Sequence, residues 1–322
     1  MSRIMHSVLL CLSLFAISQS TLAQDYPTKP IRIINAYAAG GPNDLTLRPI
    51  AQYLSGVFGH QVIVENKAGA NGNIGADFVA KSAPDGYTML FASTSQLTVN
   101  PALYKMPFDA TRDFAPVGQV TMNPSVIVLH AALPIPTAKE LMAYAKANPG
   151  KLSYASAGIG SVNHLGGELL AMITKTPMLH VPFSGSGPAL SDVVAGRVDM
   201  MIISPATTLP FIKAGKLRMV LVSSNKRLPF APDVPTMIES GLPDFVSQSG
   251  TGLLAPAKTP RSAITRINTE VVKYLNSSEG STQLGNLGLQ VVPGTPEDFA
   301  QLLREETTRW AAVVKAANIK LE

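Results

Sequence analysis

The chain has 322 residues, of which 46% are hydrophobic and 15% charged, with 25 glycines, 25 prolines and one cysteine. This excludes a disordered chain and a disulfide-stapled miniprotein, and it leaves room for one or two cores of ordinary size. The formal net charge of +5 is thinly spread, with no Lys/Arg cluster or aromatic-basic stripe, so it slightly favours anionic solutes and offers nucleic acid no evident surface.

Residues 1–23 carry a basic start at Arg3, an apolar run from Val8 to Ile17, and the small residues Thr21 and Ala23 at the exit. This is the pattern of a secretory signal peptide cut between Ala23 and Gln24. The run is short of the roughly 20 apolar residues that a membrane span needs. Cys11 lies inside the run, after Leu10, whereas a lipoprotein signal places its Cys at the end of the run after a small residue. Cleavage removes both Arg3 and the sole Cys, and a thiol-free mature chain suits an oxidising compartment. The periplasm is the expected location.

In chain order, Ile31 to Ile34 reads as a strand that runs into Gly40-Gly41-Pro42-Asn43-Asp44, and a helical pattern follows to Phe58. A strand at Gln61–Glu65, a loop from Asn66 to Asn73, a helix ending near Lys81 and a strand at Tyr87–Ala92 come next. Three strands separated by helical stretches predict a parallel α/β sheet. A second set begins at Val126–His130. Thr137 and Glu140 form a capping box for a helix that Asn148-Pro149-Gly150 ends. Strands are then predicted at Leu152–Ala155, Met178–Pro182, Met200–Ser204 and Lys216–Ser223, with helices at Val162–Ile173 and Ala189–Ala195. Gly250–Pro256 is extended again. Thr259-Pro260 and Thr295-Pro296 each pair a cap residue with Pro at the first helical position, and the last helix, Glu297–Ala317, carries the only Trp, Trp310.

The small-residue loops fall at the carboxyl ends of strands, where open α/β sheets bind ligands. Gly40-Gly41 before a helix start can cradle an anion on bare amides, with Asp44 capping the helix or holding the loop from behind; the alternative is a plain turn. Ala157-Gly158-Ile159-Gly160-Ser161 offers amides and the Ser161 hydroxyl at another helix start. Ser184-Gly185-Ser186-Gly187 repeats the arrangement, and Ser93-Thr94-Ser95 follows a third strand. Together they predict a polar pocket made of amides and hydroxyls. His60, His130, His164 and His180 have neither metal-ligand spacing nor a Cys companion, so no metal is expected. Ser161 and His164 lack a nucleophile elbow and an orienting carboxylate, so hydrolysis is not expected either.

The motifs Tyr26-Pro27-x-Lys29-Pro30-Ile31-Arg32, Gly40-Gly41-Pro42-Asn43-Asp44, VENKAGANGNIGA (64–76), APDGYT (83–88), ELMAYAKANPGKLSYASAGIGSVNHL (140–165), HVPFSGSGPAL (180–190), APDVPT (231–236), LLAPAKTP (253–260) and GTPEDF (294–299) span the chain. With them the chain resembles the extracytoplasmic solute receptors of the tripartite tricarboxylate transporter family, the Bug receptors. The resemblance implies an α/β clamshell of the type-2 periplasmic-binding-protein kind, each lobe a mostly parallel sheet flanked by helices. Lobe 1 would be 24–124 with 251–322, and lobe 2 would be 125–250. It implies a non-enzymatic receptor without a cofactor, binding a small mono-, di- or tricarboxylate or a related compound and partnered by the membrane permease subunits. A sensor feeding a membrane signalling partner is the alternative. Carried onto this chain, the ligand contacts are Tyr37, Ala39, Gly40, Gly41, Ser93 and Ser95 in lobe 1. In lobe 2 they are Gly158, Gly160, Ser161, Phe183, Ser184 and Ser204, and Asp44 supports the first loop. Three places depart from the family: Asn35–Ala39 where Val-Pro-Phe-x-Pro is frequent, Phe183 where Tyr is common, and Gly250-Thr251 where Trp-Tyr is common.

Overall fold

The computed structural model describes residues 26–320 apart from 38, 184, 225, 244, 246 and 288. The expected signal peptide and its cleavage point at Gln24 therefore lie outside the described residues, as does Ser184. The strands are β1 (Ile31–Asn35), β2 (Val62–Asn66), β3 (Thr88–Ser93), β4 (Phe114–Pro124), β5 (Val126–His130), β6 (Ser153–Ser156), β7 (Leu179–Pro182), β8 (Met200–Ile203), β9 (Leu217–Val222), β10 (Gln248–Pro256) and β11 (Gln290–Val291). The helices are α1 (Pro42–Phe58), α2 (Asn73–Ala80), α3 (Thr94–Thr98), α4 (Asn100–Leu103), α5 (Ala138–Ala147), α6 (Val162–Thr174), α7 (Ser186–Val194), α8 (Pro205–Lys213), α9 (Arg261–Asn276), α10 (Ser278–Asn286) and α11 (Pro296–Ala316).

They build two sheets, in the orders β11-β4-β10-β3-β1-β2 and β7-β6-β8-β5-β9. Both are mixed. The parallel parts, β2-β1-β3 and β7-β6-β8, are the strand-helix units legible in the sequence; β10, β4 and β11 in one sheet and β5 and β9 in the other run antiparallel. Both faces of each sheet are covered, and the two-residue period of a strand divides its side chains between two cores. In the first sheet, Ile31, Ile33, Met89 and Phe91 pack with Leu47, Ile50 and Leu54 of α1, while Ile34, Leu90 and Ala92 face Ala76 and Val79 of α2. In the second, Ile127, Leu129, Met200 and Ile202 meet Leu165 and Leu169 of α6; Val126, Val128, Met201 and Ile203 meet Ala189 and Val193 of α7. Each such fully buried Ile or Leu contributes about 1.5–3 kcal/mol.

Three segments join the sheets. The first is the step from β4 to β5 at Ser125, and the second is the run from β9 into β10. They are knotted together: Ser125 N–H donates to Ser247 O and to Ser223 Oγ, each at 2.9 Å, and Ser223 N–H donates to Ser125 O at 2.9 Å. The third is α11, whose Phe299 and Leu303 belong to a first-sheet core while Trp310, Val313 and Val314 belong to a second-sheet core.

Several elements differ from expectation. β4 was not anticipated because Pro116, Gly118 and Pro124 interrupt its apolar pattern, and its ladder with β10 shifts register twice. The helix after Thr259-Pro260 starts one residue late: Pro260 is its cap, and the buried Thr259 hydroxyl has no protein partner. By contrast, Thr295 and Asp298 form the complete reciprocal capping box. Gly250 is required sterically, since a Cβ there would lie 2.4 Å from the Thr121 carbonyl oxygen. A large aromatic therefore cannot be placed at 250 on this backbone.

Candidate functional site

A cleft of about 720 Å³ lies between the carboxyl ends of the two sheets' parallel strands. The first sheet's side contributes Tyr37, Asn43, Asn71, Ser93, Ser95 and Asn100, and the second's contributes Gly160, Ser161, Asn163, Ser186, Ser204 and Thr207. Its floor is the pair of crossings, Asn123–Ser125 and Ser249–Thr251, with apolar wall from Val99, Leu165, Ile203, Leu287 and Leu289. Among the described residues that line it there is no Asp, Glu, Lys, Arg or His. Positive potential comes instead from helix N-termini: α1, α6, α7 and α8, with the short α3, all begin at its rim. Each full helix carries about half a positive charge at that end, carried by unpaired amides.

Of the twelve expected contacts, Tyr37, Ser93, Ser95, Gly160, Ser161 and Ser204 are brought together here. Ala39, Gly40, Gly41, Gly158 and Phe183 do not line the cleft, for physical reasons that differ. The Gly40 N–H turns back to Asp44 Oδ2 at 2.9 Å, and the Gly158 N–H turns back to Ser156 Oγ at 3.1 Å. Phe183 packs on the core beneath α7 with Val181 and Leu190. Ala39 is exposed, and Gly41 gives its carbonyl to the Leu45 N–H at 3.0 Å.

Asp44 is 2% exposed and holds the first loop from behind. Its carboxylate accepts from Gly40 N–H, from Arg48 Nε at 2.8 Å and Nη2 at 3.0 Å, and from Asn66 Nδ2 at 3.0 Å. Burial alone would raise its pKa, but these donors outweigh it and bring it down to about 2. Burial pushes the Tyr37 phenol up to about 12, with Ser93 opposing, so it remains a donor at neutral pH. Ser93 and Ser95 share a hydrogen bond of 2.6 Å between their hydroxyls.

In the second loop Ser161 caps α6: its Oγ accepts the His164 N–H at 3.3 Å and keeps its own proton for the cleft. The His164 ring does not reach for Ser161 as a base would, because its Nδ1 accepts the Gly160 N–H at 3.0 Å. His164 and His180 are stacked, with centroids 4.0 Å apart. Among the described residues no group of three His, Cys, Asp or Glu could hold a metal.

The asparagines were missed. Asn71, in the left-handed region at φ 52°, donates to Asn100 Oδ1 at 2.8 Å, and Asn100 donates to Asn73 Oδ1 at 2.8 Å. Their signal was the loop after β2, which also sits at a strand's carboxyl end. Leu287 and Leu289 arrive from the far C-terminal region, and no local pattern announces them. A larger depression of about 940 Å³ lies at the opposite, amino end of the first sheet, near Tyr26 and Phe58. There Lys29 pairs with Asp85 at 3.3 Å and Arg266 with Glu270 at 2.8 Å, so its cations are already neutralised.

Residues 46–319 match the model of the tripartite tricarboxylate transporter family receptor. BugT of Bordetella pertussis is 34% identical, the alignment covering 100% of this chain and 99% of BugT. A Rhodopseudomonas palustris protein solved with adipate is 32% identical with a TM-score of 0.75, over 92% of this chain and 100% of that one. MatC from Rhodopseudomonas palustris, solved with bound malate, is 34% identical with a TM-score of 0.71, over 90% and 100%. The chain therefore belongs to the tripartite tricarboxylate transporter receptors, solute-binding proteins rather than enzymes.

Proposed function

We propose that this chain is a periplasmic receptor that captures a small carboxylate in the cleft between its sheets and delivers it to the permease subunits of a tripartite tricarboxylate transporter. The observation that carries the reading is a cleft ringed by hydroxyls, amides and helix N-termini with no charged side chain among its described lining residues. Such a lining stabilises a carboxylate by short hydrogen bonds and dipoles, and releases it without breaking a salt bridge. The adipate and malate of the two R. palustris structures support the ligand class. Tyr37, Ser93, Ser95, Ser161, Ser186 and Ser204 are the hydroxyls assigned to it. The lobes are 24–124 with 251–322 and 125–250, and α11 is a strap between them. No helix among the described residues is long and apolar enough to cross a membrane.

A thermal-shift screen of the mature chain against aliphatic, hydroxy- and aromatic acids tests the reading. A ligand that binds only the folded state adds about 2.7 kcal/mol at a hundredfold excess over Kd, enough to raise Tm by several degrees. If amines or sugars shift Tm and no carboxylate does, the ligand class is wrong.

A further inference from the structure

Behind the second loop lies a group of side chains that does not line the cleft. Gly158 N–H donates to Ser156 Oγ, and that hydroxyl meets His180 Nε2 at 2.6 Å. Gly160 N–H donates to Nδ1 of His164, which stacks on His180 with an interplanar angle of 12°. Tyr154 lies beside both rings, its centroid 5.0 Å from that of His180 and 6.5 Å from that of His164, and donates to Glu168 Oε1 at 2.5 Å. Two amides of one five-residue loop are thus fastened, directly or through a serine, to a stacked histidine pair.

We propose that His164 is a positioning residue of the ligand site: its neutral imidazole holds the loop Ala157–Ser161 in its ligand-receiving shape, and protonation of the ring releases that loop. The reason is donor–acceptor counting. A neutral imidazole offers one lone pair, and here Nδ1 presents it to Gly160, which fixes the proton on Nε2. An imidazolium carries a proton on both nitrogens, so two N–H groups would face one another across 3.0 Å. The loop amide must then leave, and Gly160 and Ser161, which line the cleft, move with it.

The surroundings favour the neutral ring. On α6 itself, Glu168 Oε1 lies 3.8 Å from His164 Nε2 and is the one neighbour that favours the charged ring, but it makes no direct hydrogen bond to it and is already engaged by the Tyr154 hydroxyl. From β7, His180 sits against the ring, and a second positive charge there would repel the first. From β6 come only Tyr154 and Ser156, and β8 brings no titratable side chain. From α11, the Glu306 carboxylate is engaged by Arg309 and by Trp310 Nε1. Burial holds the His164 pKa below its ordinary value; burial and then the His164 neighbour bring His180 down to about 4.

This inference rests on the proposed ligand site for its consequence, but its test needs no ligand. In ¹⁵N-labelled mature protein, a scalar coupling between Gly160 N and His164 Nδ1 across the hydrogen bond is expected at about pH 7.5, with the Gly160 amide shifting as His164 titrates at lower pH. His164→Asn keeps an acceptor at the δ position without titrating, so the Gly160 amide should stay bonded and lose its pH response. His164→Leu should lose the bond at every pH. Of malate, adipate and benzoate, the acid with the largest thermal shift should bind His164→Asn within about threefold of the parent at neutral pH, and tenfold or more better than the parent once the parent's ring is protonated. A Gly160 amide indifferent to His164 titration, or an Asn variant with the parent's pH response, overturns the inference. If the coupling is present and none of the acids binds, it is the carboxylate reading that fails.

Discussion

In the loop from Tyr37 to Asp44 a carboxylate lies behind the glycines, whereas behind Ala157–Ser161 it is a pair of imidazoles. Both arrangements draw glycine amides away from the cleft and onto the scaffold, so the groups left for a ligand are mainly hydroxyls. The supports differ in what they tolerate. Asp44, with a pKa of about 2, keeps its charge through mild acid, while the His164–Gly160 bond exists only while the ring is neutral. One half of the site is therefore built to hold across pH, and the other is conditional.

The largest expected effect is on the carboxylate side. Asp44→Ala removes several charge-assisted hydrogen bonds at once and should lower stability by about 3 kcal/mol, seen as a lower urea midpoint with an unchanged slope. A loss under about 0.5 kcal/mol would mean that Arg48, half-exposed, and Asn66 hold the loop without it. On the other side, Ser161→Ala should weaken carboxylate binding roughly ten- to a hundredfold if the hydroxyl donates directly. It should also cost about 1 kcal/mol for the lost cap of α6. Calorimetric titration separates the two, and full affinity in the variant would take Ser161 out of contact with ligand.

The two supports also titrate in different windows. His180 has a folded pKa below its ordinary value of 6.5, so the unfolded chain takes up the proton first. The stability is intact above pH 6.5 and is lost as pH falls toward about 4. Asp44 contributes fully above its ordinary 3.8 and loses its contribution only toward about 2. Urea midpoints of the parent should therefore decline between these histidine limits, and His180→Phe should flatten that decline. The smallest effect is that of salt. Carboxylate affinity should change less than about threefold between roughly 0.05 and 0.5 M NaCl, because no charged side chain lines the described cleft. A steep dependence would bring Arg48 out from behind its loop and into contact with the ligand.

Much of the fold was legible because each parallel unit announces itself locally. β1, β2, β3 and β8 are largely apolar runs, β6 and β7 are short stretches set off by Gly and Pro turns, and Ser161 and Thr295 cap the helices they precede. What escaped is held by distant partners. β4 is a strand because β10, more than a hundred residues on, pairs with it despite Pro116 and Gly118. The site shows the same split. Hydroxyls at strand ends could be read from the sequence, but the direction of the Gly40 and Gly158 amides could not, since it depends on Asp44 and Ser156 folding back behind them. His164 and His180 lie on separate units, and only the sheet stacks them.

The strap α11 has a consequence for the order in which the protein can finish folding. The core between β5, β8 and α6 is closed by Trp310, Val313 and Val314, side chains that the ribosome adds only after every strand of that sheet. Until they arrive, Leu165 and Leu169 lack part of their cover, although every strand of their own sheet has long been made. Made from its amino end, the second sheet therefore stays without its full cover until α11 has been added. The first sheet is in the same position, since β10 and β11 come after the whole of the second. Neither half can therefore complete its packing before the elements that follow β9 have been made.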